Sequence, residues 1–252
     1  MVSGHSKWHN RVHRKSRQDA KRGAVYSKLG REVLIAAKEG GGDPVANMRL
    51  KIAVDRAREA GVPAENIRRA IERGSGGGED VNYEEISYEG YGPGGVAVLV
   101  EVQTDNRNRT AGDIRHIFAR NGGNLGEAGC VAWMFEKKGL VVIEREGSRL
   151  TEERALELAL DAGAEDMRVE PDSFELLTAP TELEAVRHAL TQQGVTPALA
   201  EVTLEPKSTV EVGGHDAELL ARLLELLEDH DDVKDVYSNA SYPEGDAEAE
   251  AR

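Results

Sequence analysis

The chain has 252 residues, 39 % of them hydrophobic and 31 % charged, with a formal charge of -14. That length accommodates two or three domains, and the composition is that of a soluble globular protein, not of a chain disordered throughout. No run approaches the roughly 18 apolar residues of a membrane span, no secretory hydrophobic segment follows the start, and the single cysteine, Cys130, excludes an internal disulfide and fits a reducing, cytoplasmic setting.

Residues 1–31 hold nine Lys and Arg against one acid, Asp19, a charge of +8; subtracting this from -14 leaves -22 on the rest. Such a split points to a polyanion-binding segment on an acidic carrier, because a local positive field steers a ligand whatever the overall charge. Lys7, Arg11, Arg14, Lys15, Lys21, Arg22, Lys28 and Arg31 are candidate phosphate contacts, each able to release counterions on binding. Helical spacing places Arg14, Lys21 and Lys28 on one face about two turns apart. Trp8 lies among these cations and can stack on an unpaired base. His5, His9 and His13 are spaced by four. A metal would need them on one helix, and Gly4 argues against helix so early, so His5 and His13 are assigned to phosphate or base hydrogen bonding and no metal is assigned. A transit peptide or a solvated helix face is the alternative for the whole segment.

Val25, Leu29, Val33 and Ala36 recur at helical spacing, and Gly40-Gly41-Gly42 ends that helix. Asp43-Pro44 is expected to open a second helix as N-cap and first-turn proline, striped by Leu50, Ala53, Val54 and Ala57 and stopped at Gly61. Pro63 opens a third, with Ile67, Ala70 and Ile71 facing inward. GSGGG at 74–78 is expected to be a domain boundary and hinge. Strands are predicted at 82–89 and 96–103, joined by GYGPGG, with VAVLVEV apolar on both faces and therefore central. Thr110 is expected to cap a helix to Arg120, followed by a strand 130–136 and a turn at Lys137-Lys138-Gly139. Strand 140–145, helix 151–162, strands 167–170 and 173–178, helix 181–193 and strand 198–204 spell βαββαβ, the ferredoxin-like order. Strand 209–212, helix 215–228 and strand 233–238 could complete the sheet begun at residue 82. EGDAEAEAR at the end is small and acidic, and is read as disordered.

Other chemistry is sparse. Arg107 and Arg109 in TDNRNRT are a candidate second polyanion contact, with turn and cap geometry from Asp105, Asn106 and Asn108 as the alternative. GPGG beside Tyr88 and Tyr91 is no nucleotide loop. Glu84, Glu85, Glu89, Glu101, Asp113 and EDHDD at 228–232 are acids a metal-dependent nuclease could use; EDHDD is read as a solvated helix end. Neither a nucleophile triad nor a phosphate loop is present, and no helix-turn-helix, zinc-finger or RNA-recognition motif is matched.

GHSKW at 4–8, HRKSRQDAKR at 13–22, GGGDP at 40–44, EGYGPGGVAVLVE at 89–101, TDNRNRT at 104–110 and GGNLG at 122–126 together resemble the YebC/PmpR family of bacterial regulatory proteins, whose wider family includes mitochondrial translational activators of cytochrome oxidase. The sequence departs from that pattern at Val2-Ser3, at GVP 61–63 and at Cys130, none of them in the basic set. The resemblance implies a cytoplasmic DNA-binding transcriptional regulator or a factor acting on translation at the ribosome. It also implies an N-terminal helical domain and two α/β domains, the third inserted in the second.

The combined expectation is an α+β protein. A basic helical domain spans 1–78, an α/β domain 79–138 plus 207–240, an inserted ferredoxin-like domain 139–206, and an acidic tail 241–252. Its function is to regulate gene expression by binding nucleic acid, DNA before ribosomal RNA, without catalysis, cofactor, metal or membrane. The acidic α/β body is open to a protein partner. The alternatives are a ribosome-associated translational activator and a structure-selective DNA nuclease.

Overall fold

A computed structural model describes residues 7–76, 82–146, 148 and 150–243, with the backbone alone for 7–22. Three helices come first: α1 (Lys7–Gly40), α2 (Met48–Glu59) and α3 (Ala64–Ser75). Val33, Leu34 and Ala37 of α1 meet Leu50, Ala53, Val54 and Ala57 of α2 and Ile67 and Ala70 of α3 in one apolar cluster. Gly74 permits this closeness, since a Cβ there would lie 2.4 Å from the Leu34 carbonyl oxygen.

The second helix does not start at Asp43-Pro44 as expected. The Asp43 carboxylate accepts from Val45 N at 2.9 Å and shapes a turn, and the cap is Asn47, whose Oδ1 accepts from Leu50 N at 3.1 Å. The Asn47 amide donates to Ala36 O at 2.7 Å and Gly41 O at 2.9 Å. One buried side chain thus starts α2 and fixes it to the end of α1.

The remaining elements run β1 (Glu84–Tyr91), β2 (Ala97–Thr104), α4 (Arg107–Arg120), β3 (Asn124–Leu125), β4 (Phe135–Glu144), α5 (Glu152–Ala162), β5 (Asp166–Val169), β6 (Ser173–Thr178), α6 (Leu183–Gln192), β7 (Leu199–Pro206), β8 (Val210–Glu211), α7 (Gly214–Asp229), β9 (Val233–Ser238) and β10 (Ala240–Ser241). An antiparallel sheet of order β3-β1-β2-β9 carries α4 and α7 on one face, over Val96, Val98, Val100 and Val102. As its two-faced apolar run predicts, β2 is central. A second antiparallel sheet has the order β5-β6-β4-β7, the ferredoxin-like arrangement. The chain leaves the first sheet after β3 and returns to it at β9, so the ferredoxin-like unit is an insertion in an α+β fold.

Three local readings are corrected. Asn106, not Thr110, caps α4, accepting from Arg109 N at 3.1 Å; Thr110 is buried one turn further in. Residues 130–134 form no strand, and Lys137-Lys138-Gly139 form no turn: β4 passes straight through, with Gly139 opposite both Thr178 and Val202. A Cβ on Gly139 would lie 2.6 Å from Thr178 Cγ2, so this glycine serves close packing and not chain reversal. Residues 126–134 instead close around Glu89, whose carboxylate accepts from the backbone N–H groups of Gly129, Val131 and Ala132, each at 2.7 Å. Finally, β8 pairs in parallel with β10 in a separate ribbon and does not join the first sheet. Of the expected hinge at 74–78, Gly74 and Ser75 belong to α3 and Gly76 caps it, while 77 and 78 lie outside the described residues. The tail expected to be disordered over 241–252 is ordered at its start, where Ser241 pairs in β10 and Tyr242 is buried against the first sheet, while 244–252 lie outside the described residues.

Candidate nucleic-acid interface

The basic set is carried by α1, 34 residues long and so about 50 Å at 1.5 Å per residue. His5 lies outside the described residues. The helix is described from Lys7 on, and Trp8, Arg11, His13, Arg14, Lys15, Lys21 and Arg22 all sit on its regular backbone. A seven-residue step on a helix drifts only about 20°, so Arg14, Lys21 and Lys28 follow one face and Lys7 begins the same row.

Towards the C-terminal half of α1 the basic set meets the α/β body. Lys28 Nζ donates to Glu228 O at 2.6 Å. Arg31 Nη1 donates to Asp231 O at 2.8 Å and Gln103 O at 3.1 Å, and lies 3.7 Å from the Asp232 carboxylate. Its guanidinium is 5.2 Å from the centre of the Tyr83 ring, a cation–π distance. Arg109 Nη2 is 2.9 Å from both Asp105 and Asp232. Arg107, at the first position of α4, is exposed. Of the thirteen sequence candidates the structure therefore brings Arg31 and Arg109 together around Asp232, and leaves Arg107 facing solvent.

Asp232 is the residue that sequence reasoning missed. Read as part of a solvated acidic helix end, it is 5 % exposed. Its Oδ2 accepts from Thr110 Oγ1 at 2.7 Å and Thr104 Oγ1 at 3.3 Å as well as from Arg109. Burial alone would raise its pKa, but the bonds from Arg109 and Thr110 and the charges of Arg109 and Arg31 outweigh it and hold the carboxyl below the usual range. The available signal was the pair of threonines, Thr104 and Thr110, that flank DNRNR. A cleft of about 570 Å³ opens beside this cluster, lined by Arg31, Tyr83, Asp105, Arg109, Asp113 and His230 among others. Asp232→Asn keeps the shape and removes the charge. It is expected to cost about 2 kcal/mol at neutral pH. Because the folded pKa is depressed, the wild-type advantage is present above the unfolded value near 3.9 and is lost as pH falls through the folded one. Melting temperatures of the two proteins should converge on acidification; a gap independent of pH would show a packing effect instead.

A second charged group forms where all three units meet. Arg56 of α2 bonds Glu32 of α1 at 3.2 Å and approaches Glu201 of β7 at 3.9 Å. Lys234 lies 3.7 Å from Glu101 and from Asp235. Burial raises the Glu32 pKa despite the opposing charges of Arg56 and Lys234. Among the described residues no three His, Cys, Asp or Glu side chains are grouped to hold a metal ion, and no helix is long and apolar enough to cross a membrane.

With this geometry in hand, comparison with known proteins is decisive for kinship. Residues 6–77 match the family description TACO1/YebC protein N-terminal domain, and residues 83–240 match TACO1/YebC second and third domain. The chain belongs to the TACO1/YebC family. Its relatives include proteins named probable transcriptional regulatory protein from Pelotomaculum thermopropionicum, 58 % identical over 94 % of this chain and 98 % of that protein, and from Carboxydothermus hydrogenoformans, 54 % identical over the same shares. A crystal structure of a conserved hypothetical protein from Aquifex aeolicus is 44 % identical, covers 90 % of this chain and 93 % of its own, and has a TM-score of 0.81. The resemblance carried by GHSKW, TDNRNRT and GGNLG is thus a family membership, and the TACO1/YebC three-part architecture is the one described above.

Proposed function

We propose that this TACO1/YebC-family protein is a cytoplasmic regulator of gene expression that binds nucleic acid, DNA in the first instance, through its N-terminal helical domain (residues 1–78). The observation that carries this is the unbroken helix α1, whose first 25 residues hold most of the +8 segment on an otherwise acidic protein. The names of its relatives support the regulatory role. Regularly spaced cations along one helix grip a phosphate backbone; they position the protein without reading bases.

One observation favours RNA as the second reading. α2 and α3 are joined by only four residues including Gly61, the spacing of a helix-turn-helix. Yet the would-be recognition helix α3 has Arg68 and Arg69 tied to Glu65, and Arg68 also to Glu72. A helix so neutralised is poorly suited to read a major groove, which leaves shape and backbone contacts such as ribosomal RNA offers.

Cross-linking followed by sequencing of bound DNA and RNA separates the two: promoter DNA supports the first, ribosomal RNA the second. Neutralising Lys15, Lys21 and Arg22 together should weaken every sequence alike, and selective loss on one sequence would make them base readers. Trp8→Ala should cost about 1–3 kcal/mol on single-stranded or distorted substrates and little on plain duplex. Equal loss on all substrates with a lowered melting temperature would make Trp8 a packing residue.

A further inference from the structure

Among the described residues, the helical domain and the α/β body are joined differently from the first sheet and the insertion. The first sheet and the insertion share an apolar cluster: Ala97, Leu99 and Tyr237 meet Val131, Phe135 and Leu204. The apolar cluster of the helical domain, among the described residues, takes in just one ring from beyond α3, Tyr83. What crosses that seam is charge. Lys28 and Arg31 reach the segment 228–232 and Gln103. Lys38 donates to Asn82 at 2.9 Å. Arg49 pairs with Glu85, which Gln103 Nε2 also bonds at 2.8 Å. Arg56 faces Glu201. In each of these contacts the cation belongs to the helical domain and the acceptor to the body.

The position of the seam matters as much as its chemistry. The row Arg14, Lys21, Lys28 is one face of α1, and its last member is already bonded to a carbonyl of the segment EDHDD. That segment offers Lys28 and Arg31 what a phosphate chain would offer: successive oxygens, with a carboxylate beside them. We propose that Glu228–Asp232 is an internal competitor for polyanion. A phosphate backbone following α1 displaces it from Lys28 and Arg31, and the helical domain leaves the body as the ligand extends along the ridge. The proposal rests on the nucleic-acid reading of α1 given above. Linkage makes the effect reciprocal: whatever strengthens the seam weakens polyanion binding by the same factor, because affinity falls with the fraction of molecules in the open form.

The test uses the full chain, labelled at Arg73→Cys on α3 and Glu218→Cys on α7 in a Cys130→Ser background, with the distance between labels read by pulsed electron resonance. The first probe is inorganic polyphosphate, which has no bases. Saturating polyphosphate should move the labels apart. The double variant Glu85→Gln with Glu201→Gln loosens the seam from the body side and touches no residue of α1. It should bind polyphosphate about threefold to tenfold more tightly than Glu153→Gln with Glu157→Gln, which removes the same charge from the exposed face of α5; the range corresponds to two weak ion pairs. Labels that stay in place at saturation, equal affinity of the two double variants, or no binding of polyphosphate at all would each overturn the proposal. Labelled DNA and RNA titrated in parallel keep the two ideas apart. Oligonucleotides that bind with the labels unmoved sink the competitor and leave the nucleic-acid reading standing, whereas opening by polyphosphate with no oligonucleotide bound does the reverse.

Discussion

Raising salt from about 50 to about 200 mM is expected to weaken nucleic-acid binding by roughly 500-fold. The estimate follows from the number of phosphates α1 can cover. If about five are neutralised, log affinity falls with log salt at a slope of about -4 to -5, and a fourfold change in salt spans about 0.6 decade. The helix itself, about 50 Å long, exceeds the run of phosphates this requires. The measurement is a series of equilibrium titrations of a labelled duplex and a labelled single strand at four or five salt concentrations. A flat response would remove the electrostatic basis of the proposed function, as would undiminished binding after deletion of residues 1–31 from a protein that remains folded. The acidic body, which carries -22 outside that segment, does not cancel the effect, because charges beyond the Debye length of about 8–10 Å are largely screened.

Glu89→Ala is expected to be the most damaging single substitution in the first α/β sheet, at about 4 kcal/mol. Three backbone N–H groups donate to that one carboxylate, and Glu89 is itself buried. A hydrogen bond to a charged acceptor contributes about 1.5–3 kcal/mol net, less than additively where three share one carboxylate, and removing the acceptor strands donors inside the protein. The segment they organise includes Val131 and leads directly into Phe135, both members of the cluster that joins the first sheet to the insertion, so damage at Glu89 spreads across that junction. Burial acts to raise the Glu89 pKa, but the bonds from Gly129, Val131 and Ala132 together exceed it, and the net shift is downward. Its stabilisation is therefore complete above an unfolded pKa near 4.3 and disappears as pH falls through the lower folded value. A thermal unfolding midpoint lowered by about 10 °C at neutral pH, with the difference from wild type closing in acid, is the expected result. A variant that melts with the wild type would show that the 126–134 segment is held by other contacts.

The basic helix and Glu89 also mark where sequence reading succeeds and where it stops. Periodicity carries the elements whose signal is local: β6 and β9 fall where alternation and apolar runs place them, and the βαββαβ order of the insertion is visible because each strand is bounded by its own turn residues. It fails where a side chain from elsewhere dictates the backbone. GCVAWMF looks like a strand because nothing within it announces that Glu89, some forty residues earlier, will gather its N–H groups. Asn47 outcompetes Asp43 as a cap because its amide also reaches two carbonyls at the end of α1, a tertiary fact. The candidate site divides in the same way. The charge split of α1 is legible in composition alone, whereas Asp232 is indistinguishable from its four polar and acidic neighbours until Thr104, Thr110 and Arg109 are brought against it.

The strand that replaced the expected turn at Lys137-Lys138-Gly139 has a further meaning. Because β4 and β7 are antiparallel neighbours from Phe135 opposite Pro206 onward, the chain enters and leaves the insertion at a single point, with its two ends about 5 Å apart as in any strand pair. To its host, everything between those residues is a hairpin loop enlarged to the size of a domain. Exposed loops are where inserted domains are best tolerated, and lengthening a loop is entropically inexpensive. The insertion is thus tied to its host at one strand pair and at the apolar cluster around Leu99 and Phe135, so its far end is free to vary in length without changing the register of β1, β2 and β9.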